Sequence, residues 1–388
     1  MEKKSYNNTI ILLVFLFSSP YIMFLNNIIL IPNLYKICTF LLLGALFLNN
    51  DFKINKKVLW IFAFGSFYFY ISIIFNSEFT SDISSFYIGF LNFGVITLLF
   101  LSYPINFDLF LSSAYKLSVL NLPFICMNFF YFETINYMTF GANMLFSLTF
   151  IMVNIVLKRG VIDILIVVTM SCVVIIFANR SSSLATIIMI IYLYINLGQN
   201  NLLKIIKLFV LGGGAISIYL NLNALLLNAI QLIDRLGLQS YAISKLKMTL
   251  EQGVLAASSG RDTLVQVTWE IINKENFMPI AYGNLKNYSE HIYPHNIILE
   301  LIMNFGIVGV FVFLISTGWI VYKIFIIRNV PLKHTVTLIF ILIFIRLQFS
   351  GSYWMESYLW FLIGFILFNS KNTINQKRRF QNYDLIKR

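Results

Sequence analysis

Residues 296–326 read NIILELIMNFGIVGVFVFLISTGWIVYKIFI, a run in which only Glu300 and Lys323 are charged. An apolar run of this length can cross about 30 Å of hydrocarbon as a helix, the one open-ended element that satisfies its own backbone in lipid. Comparable runs recur along all 388 residues. Hydropathy gives about twelve spans in all. Nine come early, at Thr9–Phe24, Leu34–Leu48, Val58–Phe75, Phe86–Leu101, Phe110–Phe132, Met138–Leu157, Val161–Phe177, Leu184–Leu197 and Leu202–Leu220. Three come late, at Asn296–Ile326, Thr335–Phe349 and Tyr353–Phe368. Composition agrees: 59% of residues are hydrophobic, 17% aromatic and 11% charged, with a mean hydropathy of +0.81. The expected fold class is an all-α integral membrane protein of about 12 transmembrane helices. The first run lacks a small-residue cleavage pattern and more membrane follows at once, so no cleavable signal peptide is expected.

Charge placement orients the spans, because Lys and Arg collect in cytoplasmic loops. With the amino terminus inside, the cytoplasmic segments hold Lys3 and Lys4, Lys53, Lys56 and Lys57, Lys158 and Arg159, Lys204 and Lys207, Arg328 and Lys333, and the tail Lys377-Arg378-Arg379. The opposite loops hold Glu78, Asp82 and Glu133. Both termini are therefore expected inside. The organisation is residues 1–220 for spans one to nine, 221–294 for one long extracytoplasmic loop with amphipathic helices, 295–370 for spans ten to twelve, and 371–388 for a basic cytoplasmic tail. The net charge of +12 is then a topology signal and an attraction to anionic inner-leaflet lipid, with no nucleic acid implied.

Several cations stand on the wrong side. Arg180 falls between spans seven and eight and must face outward; Arg235, Arg261, Lys274 and Lys286 lie in the long loop, and Arg346 lies near the outer end of span eleven. An exported arginine opposes the insertion bias, so something keeps it there. In Ser259-Gly260-Arg261-Asp262, Ser259 is a helix cap, with Leu264, Val267, Thr268 and Ile271 at helical spacing behind it. That puts Arg261 in a first turn, where free N–H groups and the helix dipole favour an anion and a guanidinium adds a bidentate phosphate donor. The alternative is a loop arginine paired with Asp262 or Glu270. Arg180, followed by three serines able to cap span eight, presents the same choice between an anion site and a residue snorkelling to headgroups. Arg346, with Gln348 and Glu356 nearby, is expected to fix the outer ends of the last two spans. Ala224–Leu236 has the leucine stripe of an interfacial helix.

His295 opens span ten between Pro294 and Asn296. The positive helix end would lower its pKa below about 6.5 and leave a neutral imidazole, the form a general base needs. An interfacial histidine bonded to a backbone carbonyl is the alternative. Tyr293 and Asn296, which flank it, and His291 and Arg346 are secondary site residues, His291 as a loop residue able to help bind sugar. His334 is expected in a cytoplasmic turn. Cys38, Cys126 and Cys172 lie far apart in apolar spans and read as small buried residues, with no disulfide or zinc site.

Ser259-Gly260-Arg261 with Trp269, then Pro279 and Gly283, then His295-Asn296, Leu299-Glu300-Leu301 and Gly306-Ile307-Val308-Gly309, resemble the shared region of bacterial O-antigen polymerases and O-antigen ligases. The resemblance covers Ser258 to Val310, and the other spans by topology alone. Arg180 in its Asn-Arg-Ser-Ser-Ser setting is similar to the arginine of that family's earlier external loop. The resemblance implies a lipid-linked glycosyltransferase of the GT-C type in the inner membrane, with its active site facing the periplasm. Its donor would be a glycan on undecaprenyl diphosphate, cleaved between the anomeric carbon and the diphosphate. Arg180 and Arg261 would hold that diphosphate, and His295 would orient or deprotonate the acceptor hydroxyl. The implied partners are an undecaprenyl-diphosphate-linked oligosaccharide, membrane lipid, a chain-length regulator and a flippase.

No cofactor is expected. The chain has no Asp-x-Asp pair and no Walker loop, and two guanidiniums can replace the divalent ion that normally neutralises a leaving diphosphate. Other GT-C enzymes carry an acid in the first external loop, whereas Asn26–Asn33 has none. The Asn, Ile, Phe and Lys bias resembles serotype-specific polysaccharide clusters and favours a polymerase over a ligase to lipid A core. A flippase or transporter would show repeated halves and charges near the midplane. Outside the external cluster, the only candidates within or near spans are Lys36, Asp108, Lys116 and Asp163, close enough to the ends to snorkel.

Overall fold

The computed structural model describes residues 2–29, 31, 33–158, 160–197, 207, 261–349 and 351–368, which form helices and connecting turns and no strand. The helices are α1 (Glu2–Phe17), α2 (Ser19–Ile29), α3 (Leu34–Asn49), α4 (Lys56–Phe75), α5 (Ser77–Leu101), α6 (Phe107–Phe130), α7 (Tyr137–Lys158), α8 (Val161–Phe177), α9 (Arg180–Asn196), α10 (Arg261–Lys274), α11 (Ile297–Ile326), α12 (Val330–Phe349) and α13 (Ser357–Phe368). Every hydropathic run but the ninth falls on a helix. The ninth lies outside the described residues save Lys207, as do Arg235, Ala224–Leu236, Ser259 and the basic tail.

Six helices, α4, α5, α6, α7, α11 and α12, are long and apolar enough to cross a membrane, and the bent pair α1–α2 makes a seventh if counted as one span. The chain is thus an all-α, multi-pass membrane protein. Asparagine opens many of these helices. Asn55, Asn106, Asn136, Asn179, Asn296 and Asn329 each accept a backbone N–H of the following turn at 2.9–3.2 Å. Each such cap is worth about 1 kcal/mol.

Two expected spans are not straight. Thr9–Phe24 bends by 57° between α1 and α2, because Pro20 fits the first turn of α2 but has no N–H with which to continue α1. Span ten breaks at Gly306, whose φ of 65° and ψ of −163° leave the helical region. The turn after α10 fills the break: Ile307 N–H donates to Phe277 O at 3.2 Å, and Ile280 N–H donates to Met303 O at 2.5 Å. A Cβ at position 306 would lie 2.6 Å from Phe277 O, so glycine answers both the left-handed backbone and the close approach. The nine-residue segment 297–305 then packs with α10 in a separate apolar cluster that includes Leu264, Ile271, Ile280, Leu299 and Ile302. Gly306→Ala is expected to lower the melting temperature of the detergent-solubilised protein, since a side chain at this φ and ψ costs about 1–3 kcal/mol. A melting curve equal to that of the unmodified protein would contradict this account.

α7 lies at the centre, with 78% of its apolar window buried, whereas only 22% of α4's is, so Trp60, Phe67 and Phe75 face the lipid. Lipid gives helices no hydrophobic reason to associate, and polar side chains act as glue. Asn128 Nδ2 donates to Pro20 O at 2.8 Å, and Asn8 Nδ2 to Pro104 O at 3.2 Å. Asp163 belongs to this class and corrects the expectation that it snorkels. It is 4% exposed and accepts from Tyr115 Oη at 2.8 Å and Asn154 Nδ2 at 2.6 Å, because the short α7–α8 turn folds Asn154 over it. Lys36, Asp108 and Lys116 are exposed. The cysteines also depart from expectation: Cys172 is exposed and Cys38 and Cys126 half-buried, because they sit on lipid-facing sides; all three are free thiols.

The bundle has two unlike ends. At one, Lys4 pairs with Asp51 at 2.7 Å, Tyr103 Oη donates to Lys53 O at 2.6 Å, and Lys57 lies 6.0 Å from the Phe368 ring centroid. At the other, Asp82 pairs with Lys286, and Asn76 Nδ2 donates to Tyr282 O at 3.1 Å, tying the turns after α10 to the α4–α5 corner. The charge groups separated in the sequence thus separate in space.

Candidate functional site

At the end opposite Lys4, Lys53 and Lys57, the carboxyl terminus of α12 is a socket. The last carbonyls of a helix lack helical partners and carry the negative end of its dipole. Arg261, the first residue of α10, donates Nη1–H to Phe349 O at 2.8 Å, and Asn296 donates Nδ2–H to Gln348 O at 3.3 Å. Two residues from separate elements are therefore held side by side by backbone that no side-chain motif describes. Arg261 sits in a first turn as expected. Its alternative partner Glu270 instead accepts from Gln266 at 3.4 Å. One turn back on α12, Arg346 donates Nε–H and Nη2–H to Glu356 Oε2 at 3.2 and 3.1 Å and Nη1–H to Met138 O at 3.2 Å. It fixes the ends of α7, α12 and α13 in one contact.

His295 is not in the first turn of α11. Asn296 is the cap, accepting from Ile298 N–H and Leu299 N–H, and His295 precedes it with a left-handed φ of 54°. Histidine tolerates that region better than most residues. Its ring centroid is 4.2 Å from that of Tyr293 and 5.4 Å from that of His291. Nδ1 is buried and has no hydrogen-bond partner. Burial first, then the Arg261 and His291 charges, push its pKa down to about 4. The sequence pointed in this direction through the helix dipole; the main cause is desolvation. Burial, then the Glu300 charge, pushes the Tyr293 phenol up.

Arg180 opens α9 and is exposed; Asn179 caps the helix from Ser182 N–H at 3.2 Å. α9 and α12 run antiparallel, and Tyr192 Oη lies 2.7 Å from His334 Nδ1 near the lysine end. His334, expected in a turn, is therefore a buried residue of α12. From that contact, Arg180 along α9 and Arg346 along α12 are equally far, about 18 Å at 1.5 Å per residue. They share one level. Gly141, one turn from Met138, packs directly on Ser182 and closes the triangle.

Beneath the socket lies an apolar cavity of about 370 Å³ between α4, α11, α12 and α13. Ile297, Gln348 and Tyr353 line its upper part, next to His295 and Asn296, and Phe305, Phe344 and Ile320 line its walls. The structure thus brings Arg261, His291, Tyr293, His295, Asn296 and Arg346 together, and helix register sets Arg180 at their level.

The sequence reading gave no role to Glu300 or to Tyr282, Ser352 and Tyr353. Glu300 is 1% exposed, and its Oε1 accepts from Ser352 Oγ–H. An acid within an apolar span was the available signal, because such groups are retained for function. Comparison with protein-family models, with curated proteins and with solved structures finds no match to this chain.

Proposed function

We propose that this chain is a GT-C-type glycosyltransferase with about twelve spans, residing in the inner membrane with both termini cytoplasmic. It polymerises a surface polysaccharide at the periplasmic face, moving a growing glycan from undecaprenyl diphosphate to another undecaprenyl-diphosphate-linked repeat unit. The observation that carries the reading is the meeting of Arg261, His295 and Arg346, with Arg180 at the same level, above an apolar cavity. A diphosphate on a hydrocarbon tail needs cations beside a dry groove. Guanidiniums supply the first with fork geometry, and the α11–α12 cavity supplies the second.

In this reading Arg180 and Arg261 hold the diphosphate. The acceptor hydroxyl donates to the neutral His295 imidazole, its oxygen bonds to the anomeric carbon, and the carbon–oxygen bond to the diphosphate breaks, its electron pair leaving with the diphosphate. The arginines stabilise that charge as it develops, and His295 takes the hydroxyl proton. Arg346, occupied by Glu356 and Met138 O, fixes the helix ends around the two reacting sugars.

The depressed pKa sets the acid limb of the reaction. A group near 4 is neutral above that value and gains its proton as pH falls through it. For purified enzyme, kcat/KM should be level between about pH 5 and 8 and decline toward 4. The limb in kcat should lie at higher pH, because a bound diphosphate favours the imidazolium. A kcat/KM that halves near pH 6.5 would contradict the depression of the His295 pKa.

The polysaccharide profile of a deletion strain tests the function. Loss of the long-chain ladder with one repeat unit retained on core is the expected result. Complete loss of surface chain with lipid-linked polymer accumulating would indicate a ligase, and single units held on the cytoplasmic side would indicate a flippase. Purified protein with synthetic undecaprenyl-linked repeat unit should polymerise in the presence of a metal chelator.

A further inference from the structure

Glu300 plays no part in the chemistry above, yet it is the most enclosed acid near His295. It projects from segment 297–305, and its Oε1 is taken by Ser352. Oε2 is buried with no hydrogen-bond partner, and no Lys, Arg or His pairs with it among the described residues. Three donors in the same enclosure are also buried and unpartnered: the hydroxyls of Tyr68 and Tyr282 and the indole N–H of Trp354. Tyr68 stacks on Trp354 at 5.3 Å, the Phe69 ring lies 5.0 Å from Trp354 and 5.7 Å from Tyr282, and the Trp354 backbone N–H donates at 3.3 Å to the same Ser352 Oγ that bonds Glu300, so these groups line one enclosure. Buried polar groups are nearly always paired in native proteins, and sites that tighten on binding substrate are a recognised exception.

The enclosure connects to His295 through rings. Tyr282 packs on Phe86 at 5.2 Å, Phe86 on Tyr293 at 5.4 Å, and Tyr293 on His295 at 4.2 Å. Close-packed aromatic groups pass a displacement on, because the interior has no slack to absorb it. We infer that Glu300 is a positioning residue for the proposed transfer, its unpaired oxygen being the acceptor onto which the Tyr282 hydroxyl closes when the lipid-linked substrates bind, setting His295 through Phe86 and Tyr293.

The inference rests on the transferase reading, and the test separates the two. Glu300→Gln keeps the size and one acceptor oxygen and puts an amide NH2, which cannot accept, in place of the other. With purified protein and synthetic undecaprenyl-linked repeat unit, Glu300→Gln should lower kcat by about 10–100-fold with KM within about threefold, as expected where the lost contact aligns His295 in the transition state. Tyr282→Phe should fall similarly, and the double variant no further, the signature of one shared contact. If Glu300→Gln does not accumulate in the membrane, Tyr282→Phe and Ser352→Ala carry the test with the same expected split. Wild-type kcat in Glu300→Gln and Tyr282→Phe, with His295→Ala inactive, overturns this inference alone. Wild-type kcat in all of them, His295→Ala included, overturns the histidine mechanism and this inference with it, whereas an unmodified protein that does not polymerise the repeat unit overturns the transferase reading itself.

Discussion

Replacing His295 with alanine is expected to slow turnover by roughly 10²–10⁴-fold while binding of the lipid-linked donor survives. The magnitude follows from what the side chain offers. Its imidazole is held neutral by burial and by Arg261, and its Nδ1 is buried without a hydrogen-bond partner. A neutral ring nitrogen so placed can accept a hydroxyl hydrogen bond at any ordinary pH. Glutamine or asparagine at 295 separates accepting the proton from aligning the hydroxyl. An amide restores alignment, so recovery of most of the rate assigns His295 to orientation. Near-wild-type polymerisation by His295→Ala would remove it from the chemistry altogether.

The loss of both Arg180 and Arg261 should be larger still. Arg180→Ala combined with Arg261→Ala is expected to abolish measurable transfer, because each donor aimed at developing charge contributes about 10²–10³-fold. Arg261→Lys should remain impaired: an ammonium can bond Phe349 O but cannot at the same time present a fork to phosphate. Arg261→Ala also uncovers a carbonyl of α12, so its melting temperature must be measured with its rate. Full activity of the double variant at normal membrane abundance would refute the diphosphate assignment.

Helices were legible because bilayer-length apolar runs and asparagine caps are local signals, and each described run carries its helix. The bend between α1 and α2 had its marker in Pro20, but hydropathy averages across a proline. Arg261 and His295 were legible as chemistry in an unexpected place. What joins them was not, since Gln348 O and Phe349 O are backbone atoms common to any sequence, exposed as acceptors only because α12 stops there. Gly306 stood out as a motif glycine, yet its role depends on Phe277, twenty-nine residues earlier, arriving to fill the break. Asp163 and Glu300 show the same limit. An acid in an apolar run is visible, but whether it reaches water or is sealed by Tyr115 or Ser352 is decided by neighbours from other helices.

The break at Gly306 also settles a matter of thickness. A continuous helix over the 30 residues of α11 would measure about 45 Å, half as long again as the hydrocarbon it has to cross. Residues 307–326 alone supply about 30 Å, which matches the bilayer without tilt. The nine residues before the break are therefore released from hydrophobic matching. Lipid fixes the depth of the lower segment, while the height at which His295 and Asn296 stand is dictated by Phe277, Met303 and the end of α12. Thinning or thickening the bilayer would load the long segment and leave the short one in register with its protein neighbours.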